Sequence, residues 1–195
     1  MIVNFSVKNF GSIKDKQTLS FEATKSTDLE NFYITEPIKG LRLLKLALIY
    51  GANASGKTTV LKALEFLRDL VLDPAEKKTE SLKFEPFLFD SISPTQNSTI
   101  SIDFIQNRIR YYYEVEFNKR AIVKEELNYY NPNKAKIFSR ITNLEDQFTE
   151  LTFGSKIKKD RTFEKTLEAN TIWNTTVLGG FLKTNIDFKE LKEVS

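Results

Sequence analysis

Gly51-Ala52-Asn53-Ala54-Ser55-Gly56-Lys57-Thr58, followed by Thr59, satisfy the spacing of a phosphate-cradling P-loop. Gly51 and Gly56 permit a tight turn and close backbone approach, so that successive N–H groups, those of Asn53, Ala54 and Ser55 among them, can converge on an anion. Lys57 supplies an ammonium for the β- and γ-phosphates, Thr58 a hydroxyl able to ligate Mg²⁺, and Thr59 a donor for the α-phosphate. A helix starting near Lys57 adds partial positive charge at the same point. This set predicts binding of a nucleoside triphosphate with Mg²⁺. Hydrolysis would also need a second carboxylate on the metal and a group that orients water, and no residue of the sequence is assigned that catalytic role.

The loop needs a strand before it and a helix after it. Leu43 to Tyr50 is an apolar run broken only by Lys45, which predicts a strand buried on both faces. From Lys57 to Leu72, Leu61, Leu64, Phe66, Leu67, Leu70 and Val71 recur at helical spacing, and Pro74 marks the end of a helix with a broad buried face. Upstream, Ile2–Val7 and Gln17–Ala23 alternate and read as paired strands, with Val3, Phe5 and Val7 on one face; residues 24–40 read as a loop. Downstream the period becomes two, through Ile100–Phe104, Ile109–Phe117, Ile122–Tyr129 and Ala135–Ile141, an antiparallel meander. The tail from Phe163 is helical in character, and Leu178-Gly179-Gly180 reads as a turn that interrupts it.

With 195 residues, 41% of them hydrophobic and including 16 Phe and 7 Tyr, the chain can bury one substantial core. It contains no His and no Cys, which excludes Cys/His zinc sites, Ser-His-Asp and Cys-His catalysis and disulfides. A net charge of +3 is too mild to argue for nucleic acid by itself. The alternating N-terminus and the lack of any run long enough to span a bilayer predict a cytoplasmic protein without membrane contact.

Lys8-Asn9-Phe10-Gly11-Ser12 followed some forty positions later by the P-loop resembles the ABC-type ATPase heads of the SMC and RecF kind. The run with Phe87, Pro94, Ile100, Ile102 and Phe104, then Tyr111, Tyr113 and Val115, then Ile122, Glu125 and Leu127, is similar to AAA/OLD-like prokaryotic ATPases found in abortive-infection and antiphage (antiviral) defence. The resemblance spans Met1 to about Arg140. It implies ATP as the nucleotide, Asn53 on the γ-phosphate side, the turn around Gly11 beside the nucleotide, and a homodimer in which two heads sandwich ATP and drive an effector protein or nucleic-acid partner. Gly11 stands where such heads carry Arg or Lys, and Ala54 where they carry Gly.

The resemblance also implies a signature motif and Walker-B carboxylates. Leu178-Gly179-Gly180 lacks the signature's Ser and following Gln or Glu, Asp90 reads as a loop aspartate, and Asp73 ends the P-loop helix; Gln96, Gln106 and Gln147 are further metal-contact candidates on which no assignment rests. The expected architecture is an α/β P-loop fold of the ABC-head type, a mixed sheet with an antiparallel β-arm, as the N-terminal lobe of a longer ATPase. Within a single domain over 1–195, residues 1–75 hold the first strands, P-loop and helix, 84–153 the β-arm, and 160–195 the start of a helical region. Such a lobe is expected to bind ATP with little turnover alone.

Rival readings are weaker. A small GTPase needs an Asp-x-x-Gly switch and an Asn-Lys-x-Asp base reader; no Asp here has Gly three positions on, and Asn133-Lys134-Ala135-Lys136 ends wrongly. A nucleotide kinase would place its P-loop nearer the N-terminus. A non-catalytic module binding nucleic acid or protein through Arg108, Arg110, Tyr111, Tyr112 and Tyr113 is the alternative of a different class, although alternation puts Tyr111 and Tyr113 on a core-facing side. The charged run Lys156–Arg161 reads as a solvated turn.

Overall fold

The computed structural model describes residues 1–53, 55–157 and 161–194. Strands β1 (Ile2–Lys8) and β2 (Gln17–Ser20) pair antiparallel, with Phe5 opposite Leu19. Residues 24–40 are more than a loop: they carry a helical turn, α1 (Glu30–Tyr33), and β3 (Ile34–Ile38), which pairs with β4 (Leu41–Leu44) in a separate two-stranded sheet. Pro37 hides β3 from a reading of the sequence, and it is accommodated where the ladder shifts register between Thr35 and Ile38.

Helix α2 (Lys57–Leu72) follows the P-loop as the apolar spacing predicts. After it come β5 (Ser98–Gln106), β6 (Ile109–Phe117), β7 (Ile122–Tyr130), β8 (Lys134–Asn143) and β9 (Phe148–Phe153). Three short helices close the chain: α3 (Arg161–Asn170), α4 (Val177–Leu182) and α5 (Lys189–Lys192). The fold is α/β, with a seven-stranded sheet in the order β2-β1-β5-β6-β7-β8-β9 and every neighbouring pair antiparallel. Strand β9 escapes a sequence reading because its buried positions Thr149, Leu151 and Phe153 begin with a threonine and follow a polar turn.

Two strand expectations need correction. Val3 does not share a face with Phe5 and Val7. A register shift between Ile2 and Asn4 inserts it as an extra residue, turning it to the opposite face against Leu43 and Ile105. The strand expected over Leu43–Tyr50 ends at Leu44; residues 46–50 form no regular structure, and Tyr50 is 92% exposed. Leu46, Leu48 and Ile49 are exposed as well. An apolar run becomes a buried strand only when neighbours cover both faces, and none of the nine described strands pairs with residues 46–50.

Helix α2 lies on the sheet face formed by Phe5, Val7, Ile100, Tyr113 and Val115, burying Ala63, Leu67 and Leu70. Phe66 meets Phe10, Phe84 and Phe117 at ring-centroid separations of 5.5, 5.4 and 5.1 Å, so part of the phenylalanine content forms one aromatic cluster under the helix. The buried face is narrower than the spacing predicts: Leu61, at 59% exposed, borders an open apolar groove of about 580 Å³ with Leu64, Val71, Ile102 and Phe104.

Leu178-Gly179-Gly180 is not a turn but the middle of α4, whose first turn is capped by Thr176 accepting from the Gly179 N–H at 3.0 Å. The glycines serve close approach. A Cβ on Gly180 would lie 2.6 Å from Thr171 Oγ1 and 3.0 Å from the Asn170 carbonyl. Thr176 Oγ1 donates to the Leu70 carbonyl and Thr175 Oγ1 to that of Ala75, both at 3.0 Å, which ties this segment to the end of α2. A buried ion pair fixes it to the sheet: Glu125 on β7 and Arg140 on β8 are both fully buried, and Glu125 also accepts from the Val177 N–H at 2.8 Å and the Tyr113 hydroxyl at 2.8 Å. Burial raises the Glu125 carboxyl above its usual range, against the pull of Arg140 and these donors. No helix among the described residues is long and apolar enough to cross a membrane.

Candidate functional site

The site begins where β1 ends. Asn9 takes a left-handed conformation, φ +53, and is almost fully buried. Its side-chain amide donates to the carbonyls of Ser93 at 2.8 Å and Gln96 at 3.0 Å, while its Oδ1 accepts from the Phe87 N–H at 3.0 Å. One asparagine therefore clamps the β1–β2 turn onto the loop before β5. The Gly11 N–H donates to the Glu85 carbonyl at 2.7 Å, a second tie between the same two segments.

That turn rests directly on the P-loop. Ser12 and Thr59 share a hydroxyl hydrogen bond at 2.8 Å. Gly11 has φ +55, and a Cβ there would sit 2.9 Å from Thr59 Cγ2. The absence of Arg or Lys at this position has a steric reason: a side chain would meet both a left-handed backbone and the first turn of α2.

Gly56, at φ +88, precedes the first residue of α2. The Lys57 ammonium folds back over the loop, donating to the Gly51 carbonyl at 3.0 Å and the Ala52 carbonyl at 2.6 Å. The N–H groups of Lys57 and Thr58, at the helix start, have no intrahelical acceptor to use. Among the described residues the Thr58 hydroxyl and the Asn53 amide have no hydrogen-bond partner, and both residues are exposed. Ala54 lies outside the described residues, as does 158–160, the middle of the charged run. Loop, turn and hairpin enclose a cleft of about 490 Å³ lined by Ser55, Gly56 and Lys57 on one side and Ser12, Lys14 and Asp15 on the other. An ammonium held only by two loop carbonyls, a free hydroxyl and unpaired helix-start N–H groups at one point are the donor set a metal-bound polyphosphate requires, so the residues present fit Mg-nucleotide.

Other sequence candidates fall elsewhere. Asp90 is a loop aspartate, paired with Lys14 at 2.9 Å and capping the 3-10 turn Ser93–Thr95. Lys14, first, and the Ser93 N–H hold its carboxyl well below the usual carboxylate range. Asp73 caps the far end of α2, Gln106 ends β5, and Gln147 is in the β8–β9 turn. Sequence reasoning passed over Asn9 as a clamp and Lys14 as a cleft residue. Asn at a strand end is the one available signal, because asparagine tolerates φ above zero.

The basic and aromatic residues of the arm do not gather into an open platform. Tyr111 and Tyr113 are buried in the core. Arg110 forms a two-point ion pair with Asp103, Nε at 2.8 Å, and Tyr112 donates to Glu114 at 2.6 Å. Lys134 stacks over the Tyr112 ring at 5.1 Å with Glu126 nearby, so acids offset the basic side chains across this face.

Residues 46–173, about two thirds of the chain and including the whole P-loop and the whole arm, match the family model described as "AAA domain, putative AbiEii toxin, Type IV TA system". No curated protein matches the chain significantly.

Proposed function

Because the chain belongs to this AAA domain family, we propose that it is the ATP-binding lobe of an ABC-type head, taking Mg-ATP in the P-loop cleft. The observation that carries the reading is the convergence, at the start of α2, of Lys57, the free Thr58 hydroxyl and unpaired N–H groups. In this reading Lys57 exchanges the Gly51 and Ala52 carbonyls for the β- and γ-phosphates, and Thr58 holds Mg²⁺. The backbone of Gly51, Asn53, Ala54, Ser55 and Gly56 wraps the phosphate chain, with the Asn53 side chain toward the γ-phosphate. Thr59 reaches the α-phosphate only if it gives up or shares its bond to Ser12.

The same proposal holds that turnover waits for a C-terminal lobe and a second head, with an effector or nucleic acid as the driven partner in a cytoplasmic prokaryotic defence system. Exposed Leu46, Leu48 and Tyr50, leading straight into the P-loop, support it, since an apolar run placed there is suited to cover by further strands. The name of the matching family, which refers to a putative AbiEii toxin and a type IV TA system, supports the defence setting.

Calorimetric titration with Mg-ATP and Mg-GTP, comparing the chain with Lys57→Ala and following phosphate release, tests this. The expected result is ATP-selective binding that is lost in the variant, with negligible release. Binding that survives the loss of Lys57 would refute the nucleotide site, and steady Lys57-dependent release would refute the need for completion.

A further inference from the structure

The wall of the cleft opposite the P-loop carries a second ammonium. Lys14 lines the same space as Ser55, Gly56 and Lys57. Its Nζ is 2.9 Å from Asp90 Oδ2, and its side chain is 53% exposed. Resting on the nucleotide reading above, we propose that Lys14 is a second phosphate-contacting cation, held on Asp90 until a polyphosphate enters the cleft and then transferred to its oxygens.

Asp90 can release Lys14 without being left unsatisfied. Its carboxylate accepts from the Ile92 N–H at 2.9 Å, the Ser93 N–H at 2.6 Å and the Ser93 hydroxyl at 2.9 Å, and all three bonds persist when the lysine leaves. The usual penalty for breaking an ion pair, an orphaned charge, is therefore small here. The exchange is also favoured electrostatically. A triphosphate remains multiply negative even with Mg²⁺ bound, whereas Asp90 offers a single charge, and Coulomb attraction scales with that charge.

The backbone around Lys14 is fixed while its side chain is not. The Asn9 amide and the Ser12–Thr59 bond hold the turn on the P-loop, so only rotamer changes of an exposed lysine are needed. Gly11 itself carries no charge, and a side chain there would be strained, at φ +55 with its Cβ 2.9 Å from Thr59 Cγ2, which leaves Lys14 to bring positive charge from this turn into the cleft. Asp15, the acid beside it, is the one carboxylate among the residues lining the cleft, against two lysines. Lys57 shows the same design on the opposite wall, with its ammonium resting on replaceable carbonyls.

The test is calorimetric titration with Mg-ATP and with inorganic tripolyphosphate, on the chain and on Lys14→Ala, Lys14→Arg, Asp90→Asn and Lys57→Ala. Loss of one charge-assisted hydrogen bond predicts that Lys14→Ala weakens both ligands by about tenfold, with Lys14→Arg close to the original. Asp90→Asn, which removes the competitor, should bind both more tightly. If Lys14→Ala binds both ligands as the original does while Lys57→Ala does not, the inference is overturned and the nucleotide reading stands. Weakening of Mg-ATP but not of tripolyphosphate would place Lys14 on the nucleoside and overturn the phosphate contact. If the original chain binds neither, both readings fall.

Discussion

Replacing Arg140 with alanine removes a group that ties residues 172–175 to the sheet. The guanidinium is fully buried and donates to the carbonyls of Ile172 at 3.2 Å, Trp173 at 2.9 Å and Thr175, to the Thr149 hydroxyl at 3.2 Å and to Glu125 at 3.4 Å. Truncation strands Glu125 without its counter-charge, and removing one partner of a buried pair costs about 3–5 kcal/mol. Ile172 and Trp173 keep backbone donors, the N–H groups of Thr175 and Ile122, so among the described residues the Thr175 carbonyl is the one left without a donor, which adds about 1–3 kcal/mol before relaxation and water entry reduce it. An overall loss of about 5 kcal/mol is expected, comparable to the whole stability of many domains. Trp173 is the single tryptophan and is 6% exposed, so its fluorescence during urea unfolding reports on this segment, with circular dichroism following the sheet. Should Arg140→Ala abolish folding, Arg140→Lys provides an intermediate, keeping the charge but losing the forked geometry. The double variant Glu125→Gln/Arg140→Met should lose less than the sum of its single variants, by about 1 kcal/mol or more. A stability for Arg140→Ala within about 1 kcal/mol of the original, with unchanged denaturant dependence, would refute the reasoning. Because Thr175 and Thr176 hold the end of α2, the same variant should also loosen the helix that begins at the P-loop.

Two further outcomes follow from the geometry. Gly180→Ala gains helix propensity but sets a methyl 2.6 Å from Thr171 Oγ1 and 3.0 Å from a backbone carbonyl; a net destabilisation of about 1–2 kcal/mol is expected in thermal or urea unfolding, and a stabilised variant would contradict the packing. The Asp90 carboxyl is lowered by Lys14 first and the Ser93 N–H next, so its contribution is complete above the ordinary carboxylate pKa of about 4 and is lost only as pH falls through the lower folded value. Hydrogen exchange at the Ile92 and Ser93 amides should accordingly show protection persisting below pH ~4, and reduced in Asp90→Asn wherever the carboxyl of the original is ionised. Protection that disappears on acidification well above the ordinary carboxylate value would overturn that assignment.

Local chemistry was legible in the sequence. Glycines, lysine and threonine at fixed spacing identify the P-loop because that loop works largely through backbone N–H groups and two adjacent side chains, all within one short segment. Helix α2 and strands β5 to β8 were equally legible, since a one-sided apolar face leaves a period of 3.6 or 2 in the residues themselves. The tertiary structure decided matters that depend on which segments meet. It left residues 46–50 exposed although they read as a buried strand, because burial is a property of neighbours. It turned Val3 to the other face through one inserted residue, and made Gly179-Gly180 a packing surface within a helix rather than a turn. The contacts of Asn9 with a loop 84 residues ahead, of Lys14 with Asp90 and of Arg140 with residues 172–175 leave no periodic or motif trace of which segments meet. Each joins single polar side chains over a long stretch of sequence, and only the folded chain sets the distance and burial that give such pairs their strength.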